Sequence, residues 1–327
     1  MVLARHDESE ASRSSGAAGA RRFARAHPEW SSAWTDEALP ARSYVAVGDQ
    51  RLAYAATGTG PDVVLLHGTL TSLDDMMLGL GPSLARGHHV VAFDRPGHGG
   101  STRIAHDGSL LTQASLVVEG MRALGLRKPI VVGHSNGGAL ALTLATHYPD
   151  EIGGVVALAP LAFAEPRLEL MLFGPRGVPG LGQVAARTGG RLSDGMLLPI
   201  LWNAMFFPQK MPPAFADAVP FAALNEPEEM IATGEDSLAM AASLLSNAFF
   251  YPTCRVPVRV FGGSADIVVN HAMQGRLLAR IMPDCRFELV NGIGHMLHHF
   301  VPDRVAGAVE TLTAGSAGRN DRARNRT

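Results

Sequence analysis

Short runs of apolar residues alternate along this chain with segments long enough to form helices. The runs DVVLL (62–66), HVVAF (89–93), PIVV (129–132) and GVVAL (154–158) are each too short for a buried helix and are rich in valine. Continuous apolar runs of this kind are typical of strands that helices cover on both faces. The repeated order of strand, helix and strand therefore predicts a parallel sheet with helices on both sides.

The two ends of the pattern extend the same sheet. Residues 43–47 and 51–57 alternate in polarity around GDQ, which predicts a hairpin. After a long interruption, apolar strands are predicted again at 257–263 and 285–290. The predicted helices are 72–86, 109–126, 137–148, 270–282 and 302–313. We therefore predict an α/β fold with a mostly parallel sheet of about eight strands flanked by helices.

The interruption predicts an insertion over a finished sheet. Residues 161–250 contain 8 of the 13 Phe and 6 of the 13 Met, together with many prolines and helical patches, and predict a helical cap. The sheet domain is then formed by 41–160 and 251–315. Residues 1–40, rich in Ala, Ser, Gly and Arg, predict a disordered or loosely docked segment, and 316–327 a flexible tail.

Composition excludes several classes of protein. Hydrophobic residues make up 46% and charged residues 18% of the chain, and a net charge of −2 argues against a nucleic-acid partner. Two distant cysteines, Cys254 and Cys285, exclude a disulfide scaffold. The N-terminus lacks the apolar region of a secretory signal, and no run is long enough for a membrane span. We expect a cytoplasmic protein, and the oligomeric state stays open.

The stretch IVVGHSNGG (130–138) ends a predicted strand with one serine between small residues. Gly133-His134-Ser135-Asn136-Gly137 matches G-x-S-x-G, with a strand before it and a helix after it. Small neighbours are needed on such a corner because its backbone is strained and crowded by adjacent strands. The arrangement exposes the Ser135 hydroxyl at a helix N-terminus, where unpaired N–H groups favour developing negative charge.

A serine hydroxyl becomes a good nucleophile only when a base takes its proton and a third group orients that base. Downstream, Asp266 follows a predicted strand in FGGSADIVVN, and His295 follows the next strand in NGIGHMLHH. Both positions lie at the carboxyl edge of a parallel sheet. Asp284 and Asp236 are the alternatives to Asp266 for the orienting carboxylate.

The order Ser, Asp, His and two further motifs give this chain a resemblance to the α/β-hydrolases with an inserted cap, over about 43–313. VLLHGTLTS resembles the oxyanion segment of that family, and FDRPGHGGS (93–101) resembles its D-x-x-G-x-G-x-S turn. The resemblance implies that Ser135 is the nucleophile, His295 the general base and acid, and Asp266 its orienter. It also implies an oxyanion hole formed by the backbone N–H groups of Asn136 and Thr69, with that of Leu70 as the alternative to Thr69.

Most of the other histidines near the motifs are expected to have structural roles. His67 and His134 are expected to form structural hydrogen bonds, and Asp94 and His98 to fix a turn. His295, His298 and His299 lack a neighbouring carboxylate or thiolate in the sequence, so we expect no metal site. Gly58-Thr59-Gly60 is followed by proline and lacks a third glycine, so it predicts a strand connection and not a dinucleotide loop. We expect no cofactor.

A serine at the corner, with Asn136 where dehalogenases of the resembled family often have tryptophan, favours acyl transfer to water. We therefore predict a serine hydrolase that cleaves an ester, lactone or thioester of a small, largely apolar molecule, because the predicted cap is rich in Phe and Met. Two alternatives stay open: a hydrolase of carbon–carbon bonds in diketones, and a binding protein without catalysis. The sequence does not identify the substrate-binding residues.

Overall fold

The structure is a computed structural model and describes residues 39–104, 106–180, 191–219 and 226–324, together with Gly182, Val184 and Leu224. For 191–195 and 317–324 only the backbone is described. The predictions for 1–38 and for 325–327 therefore lie outside the described residues. Leu39, the first of them, packs against an apolar cluster of the sheet.

Eight strands form one sheet in the order β1-β2-β4-β3-β5-β6-β7-β8. The strands are β1 (Ser43–Val47), β2 (Gln50–Thr57), β3 (Asp62–Leu66), β4 (His89–Phe93), β5 (Ile130–His134), β6 (Gly154–Leu158), β7 (Val258–Gly263) and β8 (Cys285–Val290). Strand β2 pairs antiparallel with β1 and β4, and the other neighbours are parallel. The predicted fold class is confirmed.

The helices follow the predicted positions in the sheet domain. They are α1 (Leu73–Leu84), α2 (Leu110–Ala123), α3 (Asn136–His147), α4 (Leu168–Phe173), α5 (Arg191–Phe206), α6 (Pro213–Ala218), α7 (Pro227–Phe250), α8 (Leu278–Ile281) and α9 (Pro302–Arg324). The predicted helix 270–282 begins with a π-helix, Ala272–Leu277, before α8. Helix α9 continues past the predicted end at residue 313.

The apolar runs form strands because each face of the sheet is covered by a different apolar cluster. Val64, Leu66, Val91 and Phe93 face the cluster that contains α2 and α3. Their neighbours, such as Val63 and Leu65, face the cluster that contains α1 and α9. Successive strand residues point to opposite faces, so a strand buried on both faces needs an uninterrupted apolar run.

Residues 159–257, between β6 and β7, are called the insertion here. Its described helices α4 to α7 carry a third apolar cluster, which includes Phe173, Trp202 and Phe215. Leu70 and Met296, from loops that follow β3 and β8, belong to the same cluster. The insertion therefore packs against the carboxyl edge of the sheet.

Two further predictions concern disulfide bonds and membrane-spanning helices. Cys254 and Cys285 are both free thiols. Among the helices of the described part of the chain, none is long and apolar enough to cross a membrane.

Candidate active site

Ser135 occupies the sharp turn between β5 and α3. Its backbone has φ 53° and ψ −113°, a conformation that residues with a side chain adopt rarely. The turn is crowded: a Cβ on Gly133 would lie 2.1 Å from the carbonyl oxygen of Gly137, and one on Gly137 would lie 2.2 Å from that of Leu66. Only glycine fits at these two positions, and the motif spacing follows from that requirement.

His295 and Asp266 meet at the carboxyl edge of the sheet, as the sequence predicted. Asp266 follows β7 and His295 follows β8, and His295 Nδ1 lies 2.8 Å from Asp266 Oδ2. The backbone N–H groups of Val268 and Val269 donate to Asp266 Oδ1 at 2.7 and 3.0 Å. These bonds fix the carboxylate toward the histidine.

The environment of Asp266 favours its ionised form. Burial by itself raises the pKa of this carboxyl group, but the charge of His295 and hydrogen bonds from His271 and His295 outweigh burial. The pKa of Asp266 therefore lies well below its ordinary value. An ionised Asp266 accepts a hydrogen bond from the Nδ1–H group of His295, so the proton of the neutral ring stays on Nδ1 and Nε2 is the basic nitrogen.

Ser135 and His295 line the same cavity, whose volume is about 380 Å³. The cavity lies between the carboxyl edge of the sheet and the insertion. Its walls are mostly apolar and include Leu172, Leu201 and Met205 of the insertion. A small organic molecule of this volume would contact both the hydroxyl and the imidazole.

The two alternative aspartates lie in other hydrogen-bond networks. Asp284 pairs with Arg259 at 3.1 Å, and its side chain is 54% exposed. Asp236 is buried on α7, where it bonds Arg95 and His98 at 2.8 and 2.9 Å. Of the three candidates considered from the sequence, the structure brings Asp266 to His295.

The candidate oxyanion donors flank Ser135. Thr69 and Leu70 line the cavity on the loop after β3. Asn136 is the first residue of α3, so its backbone N–H has no partner within the helix. Leu70 has a positive φ of 59°, and its carbonyl oxygen accepts a hydrogen bond of 2.9 Å from Trp202 of α5. The insertion thus holds the loop after β3 in place.

His67 forms structural hydrogen bonds. Its Nδ1 lies 2.8 Å from the carbonyl oxygen of Gly68, and its Nε2 accepts from the backbone N–H of Arg95 at 2.9 Å. Burial lowers the pKa of His67 well below its ordinary value, as it does for His134. A neutral, fixed ring at position 67 joins the loops after β3 and β4.

Asp94 and His98 hold the turn after β4. Asp94 accepts from the backbone N–H groups of Leu73 and Gly100 at 2.8 and 2.9 Å. His98 reaches outward and bonds Glu229 and Asp236 of α7 at 2.5 and 2.9 Å. His98 therefore also joins the turn to the insertion, a role that the sequence analysis missed.

His298 and His299 were expected to lack a carboxylate neighbour, and this expectation is wrong. The sequence shows no carboxylate near His298 and His299, but the fold brings Asp75 of α1 to both: its Oδ1 lies 3.0 Å from His298 Nε2 and 2.7 Å from His299 Nε2. The ligand atoms of these three residues lie within 4.8 Å of one another, so they could hold a metal ion. As hydrogen-bonded neighbours, they already tie the His295 loop to α1.

Two further groups of residues at the site were missed by the sequence analysis. His271 Nε2 lies 2.9 Å from Asp266 Oδ2, the same oxygen that His295 contacts. Glu165, Arg167 and Glu169 of the insertion line the cavity. Nothing in the sequence marks His271 as a partner of Asp266, and nothing separates the three charged residues from surface charges.

The sequence matches the profile of the alpha/beta hydrolase fold family over residues 61–302. Among solved structures, an enol-lactonase from Burkholderia xenovorans has a similar fold, with a TM-score of 0.68 and 22% identity. That likeness covers 83% of this chain and 100% of the other.

Three curated relatives differ in how much they share. An uncharacterized protein of Mycobacterium tuberculosis is 26% identical over an alignment of 295 positions that covers 84% of this chain and 82% of that protein. A dihydrolipoyllysine-residue acetyltransferase component of an acetoin cleaving system from Cupriavidus necator is 35% identical over 40% of this chain and 35% of its own length. A 2-hydroxy-6-oxo-6-phenylhexa-2,4-dienoate hydrolase from Burkholderia cepacia is 36% identical over 32% of this chain and 37% of its own. The chain thus spans only about a third of the length of the last two relatives.

Proposed function

This chain belongs to the α/β-hydrolase fold family, and on that premise we propose that it is a serine hydrolase that cleaves a carboxylic ester or a related acyl bond. One observation carries the proposal. Ser135, on its strained turn, lines the same cavity as His295, and the Nδ1 atom of His295 lies 2.8 Å from Asp266. A hydroxyl, a base and an orienting carboxylate are the groups that nucleophilic acyl transfer needs.

In the first half of the reaction, His295 Nε2 takes the hydroxyl proton as Ser135 Oγ attacks the substrate carbonyl carbon. The carbonyl oxygen becomes an anion, and the backbone N–H groups of Asn136 and of Thr69 or Leu70 stabilise it. His295 then gives the proton to the leaving alcohol, and an acyl-enzyme on Ser135 results.

In the second half, water enters the place of the alcohol. His295 takes a proton from this water, the hydroxide attacks the acyl carbon, and the carboxylic acid leaves as Ser135 regains its proton. Asp266 stays ionised throughout and stabilises the positively charged imidazole that forms in each half.

The walls of the cavity support a largely apolar substrate. In this proposal the insertion acts as the cap, and its Leu172, Leu201 and Met205 contact the acyl or alcohol group. The volume of about 380 Å³ suits a molecule with a short or medium chain. The substrate is thus a small molecule.

Labelling and turnover test this proposal together. The purified protein is expected to react with a fluorophosphonate probe at Ser135 and to hydrolyse p-nitrophenyl esters of short or medium acids. Ser135→Ala is expected to lose the label and to reduce kcat by about 10⁴-fold or more. A wild-type protein that neither labels nor hydrolyses any ester, yet binds an apolar ligand, would instead support the non-catalytic alternative.

A second candidate is the hydrolysis of a carbon–carbon bond in a diketone. The partial similarity to a dienoate hydrolase favours it, and the same three side chains would serve it. Consumption of a dienone ring-fission product at a higher kcat/KM than any ester would select this candidate over ester hydrolysis.

A further inference from the structure

Three charged side chains form a strip along one wall of the cavity. Glu165, Arg167 and Glu169 lie just after β6 and at the start of α4, and all three line the cavity that contains Ser135 and His295. Their side chains are 14%, 10% and 31% exposed, respectively. We call these three residues the acidic strip.

The acidic strip carries one more carboxylate than it has cations. Arg167 Nη1 lies 3.3 Å from Glu165, and Arg167 Nη2 donates to Glu169. The single guanidinium is therefore shared between two carboxylates. Of the described residues that line the cavity, the remainder are apolar or uncharged apart from His295, so no second cation offsets the excess.

We propose that the acidic strip selects against anionic substrates, so that the site takes neutral or cationic esters. This inference rests on the proposed function. Arg167 attracts an anion, but its two partners already neutralise it and repel the same anion. Asp266 does not line the cavity, but its carboxylate lies 2.8 Å from His295 and adds another negative charge beside the site.

Desolvation strengthens this selection. A substrate carboxylate that enters the cavity loses water on one side and meets apolar walls on the other, a transfer that is costly without a dedicated partner. Because like charges at close range interact strongly where water is displaced, we expect a discrimination of at least about tenfold in kcat/KM. A neutral ester is subject neither to the desolvation of a carboxylate nor to the repulsion by the acidic strip.

Matched pairs of esters test the inference. On the acyl side, p-nitrophenyl pentanoate is compared with the mono-p-nitrophenyl ester of glutaric acid, in which a carboxylate replaces the terminal methyl. On the alcohol side, methyl 4-acetoxybenzoate is compared with 4-acetoxybenzoate. Each kcat/KM is divided by the rate of uncatalysed alkaline hydrolysis of the same ester. The wild type is expected to prefer the neutral member of at least one pair by about tenfold or more.

Variants assign the preference to the strip. The double variant Glu165→Gln/Glu169→Gln removes two negative charges and is expected to raise the anionic-to-neutral ratio by about tenfold. Arg167→Gln is expected to lower that ratio. Glu151→Gln is the matched control: Glu151 also pairs with an arginine, Arg122, but precedes β6 at the opposite edge of the sheet. It is expected to leave the ratio unchanged.

The outcomes separate this inference from the proposed function. A wild type that prefers the anionic esters would show that Arg167 receives a substrate carboxylate, and would overturn the inference. A preference for neutral esters that persists in the double variant would assign the selectivity to the apolar walls, and would also overturn the inference. In both cases the protein still hydrolyses esters, so the proposed function stands. Failure of the proposed function would instead appear as the absence of both ester turnover and fluorophosphonate labelling.

Discussion

Asp266 accepts more hydrogen bonds than the orientation of one imidazole requires. Its Oδ2 is shared by His295 and His271, at 2.8 and 2.9 Å, while two backbone N–H groups occupy Oδ1. A second donor on Oδ2 draws electron density away from the bond to His295. In the proposed mechanism, His271 is therefore a positioning residue that tunes how strongly Asp266 stabilises His295.

Replacing His271 by leucine is expected to shift the acid limb of the kcat/KM profile. The hydrogen bond from His271 helps to lower the pKa of Asp266. Without it, Asp266 interacts more strongly with the positively charged imidazole that forms during the proposed reaction, so activity is expected to fall at a higher pH than in the wild type. The measurement is the pH profile of ester hydrolysis. His271→Gln keeps an N–H donor and is expected to shift the acid limb less. An unchanged acid limb in His271→Leu would contradict the role of His271.

The residues of the candidate site differ in how far the sequence could predict them. Ser135 was predictable because its turn tolerates only small neighbours, which leaves a readable motif. Asp266 and His295 were predictable in position because each follows a strand of a parallel sheet. Their catalytic roles stay predictions, to be tested as described. His271 was not predictable, because its contact with Asp266 depends on how the chain leaves β7 and enters the π-helix.

Helix α7 is attached to the sheet domain through a buried cluster of charges. Asp236 of this helix pairs with Arg95 and Arg103 of the segment after β4, and also with His98. Asp236 and Arg95 are almost completely buried. Burial raises the pKa of Asp236, but the two arginines and His98 outweigh it and hold that pKa well below its ordinary value.

Asp236→Asn is expected to destabilise the fold strongly. The substitution removes the carboxylate that pairs with the buried Arg95, whereas Arg103 keeps its ion pair with Glu235 at 2.7 Å. Removing one partner of a buried ion pair typically costs about 3–5 kcal/mol. The free energy of unfolding from urea denaturation measures it. Asp284→Asn is the matched control, because the half-exposed pair with Arg259 is worth about 1 kcal/mol or less. Equal effects of the two substitutions would contradict the role given to Asp236.

At the scale of elements, the strands were predictable and the packing of the insertion was not. A strand covered on both faces requires an apolar run, which is visible in the sequence. Asp236 and Arg95, by contrast, lie 141 residues apart, and no local pattern pairs them. Helix α9 was predicted too short because TAGSAGRNDRAR (313–324) has no apolar face to indicate a helix.

Buried neutral histidines make the stability of the whole molecule depend on pH. Burial lowers the pKa values of His67, His134 and His299 in the folded protein. These rings stay neutral in the fold but take up protons in the unfolded chain below about pH 6.5. Protons then favour the unfolded state. The pKa of His98 is raised instead. Its contribution to the free energy of unfolding is therefore fully present below pH 6.5, and it does not change that free energy as the pH falls further.

The free energy of unfolding is therefore expected to decrease as the pH falls from about 6.5 to 5. Each neutral histidine contributes up to about 1.4 kcal/mol per pH unit. The carboxylates with lowered pKa, Asp75, Asp236 and Asp266, keep their contributions until the pH falls below about 4. Urea denaturation at several pH values measures the slope. A free energy of unfolding that stays constant or rises as the pH falls from 6.5 to 5 would show that the buried histidines are not neutral in the folded protein.

The two ends of the insertion meet the sheet on adjacent strands. Val258, where β7 starts, pairs with Val155 of β6, so the points of departure and return are only about 11 Å apart. A replacement for the insertion must span that gap and must also supply a partner for the buried Arg95, which Asp236 now provides. Such a replacement would change one wall of the cavity, whereas Ser135, Asp266 and His295 lie outside the exchanged segment and would keep their positions.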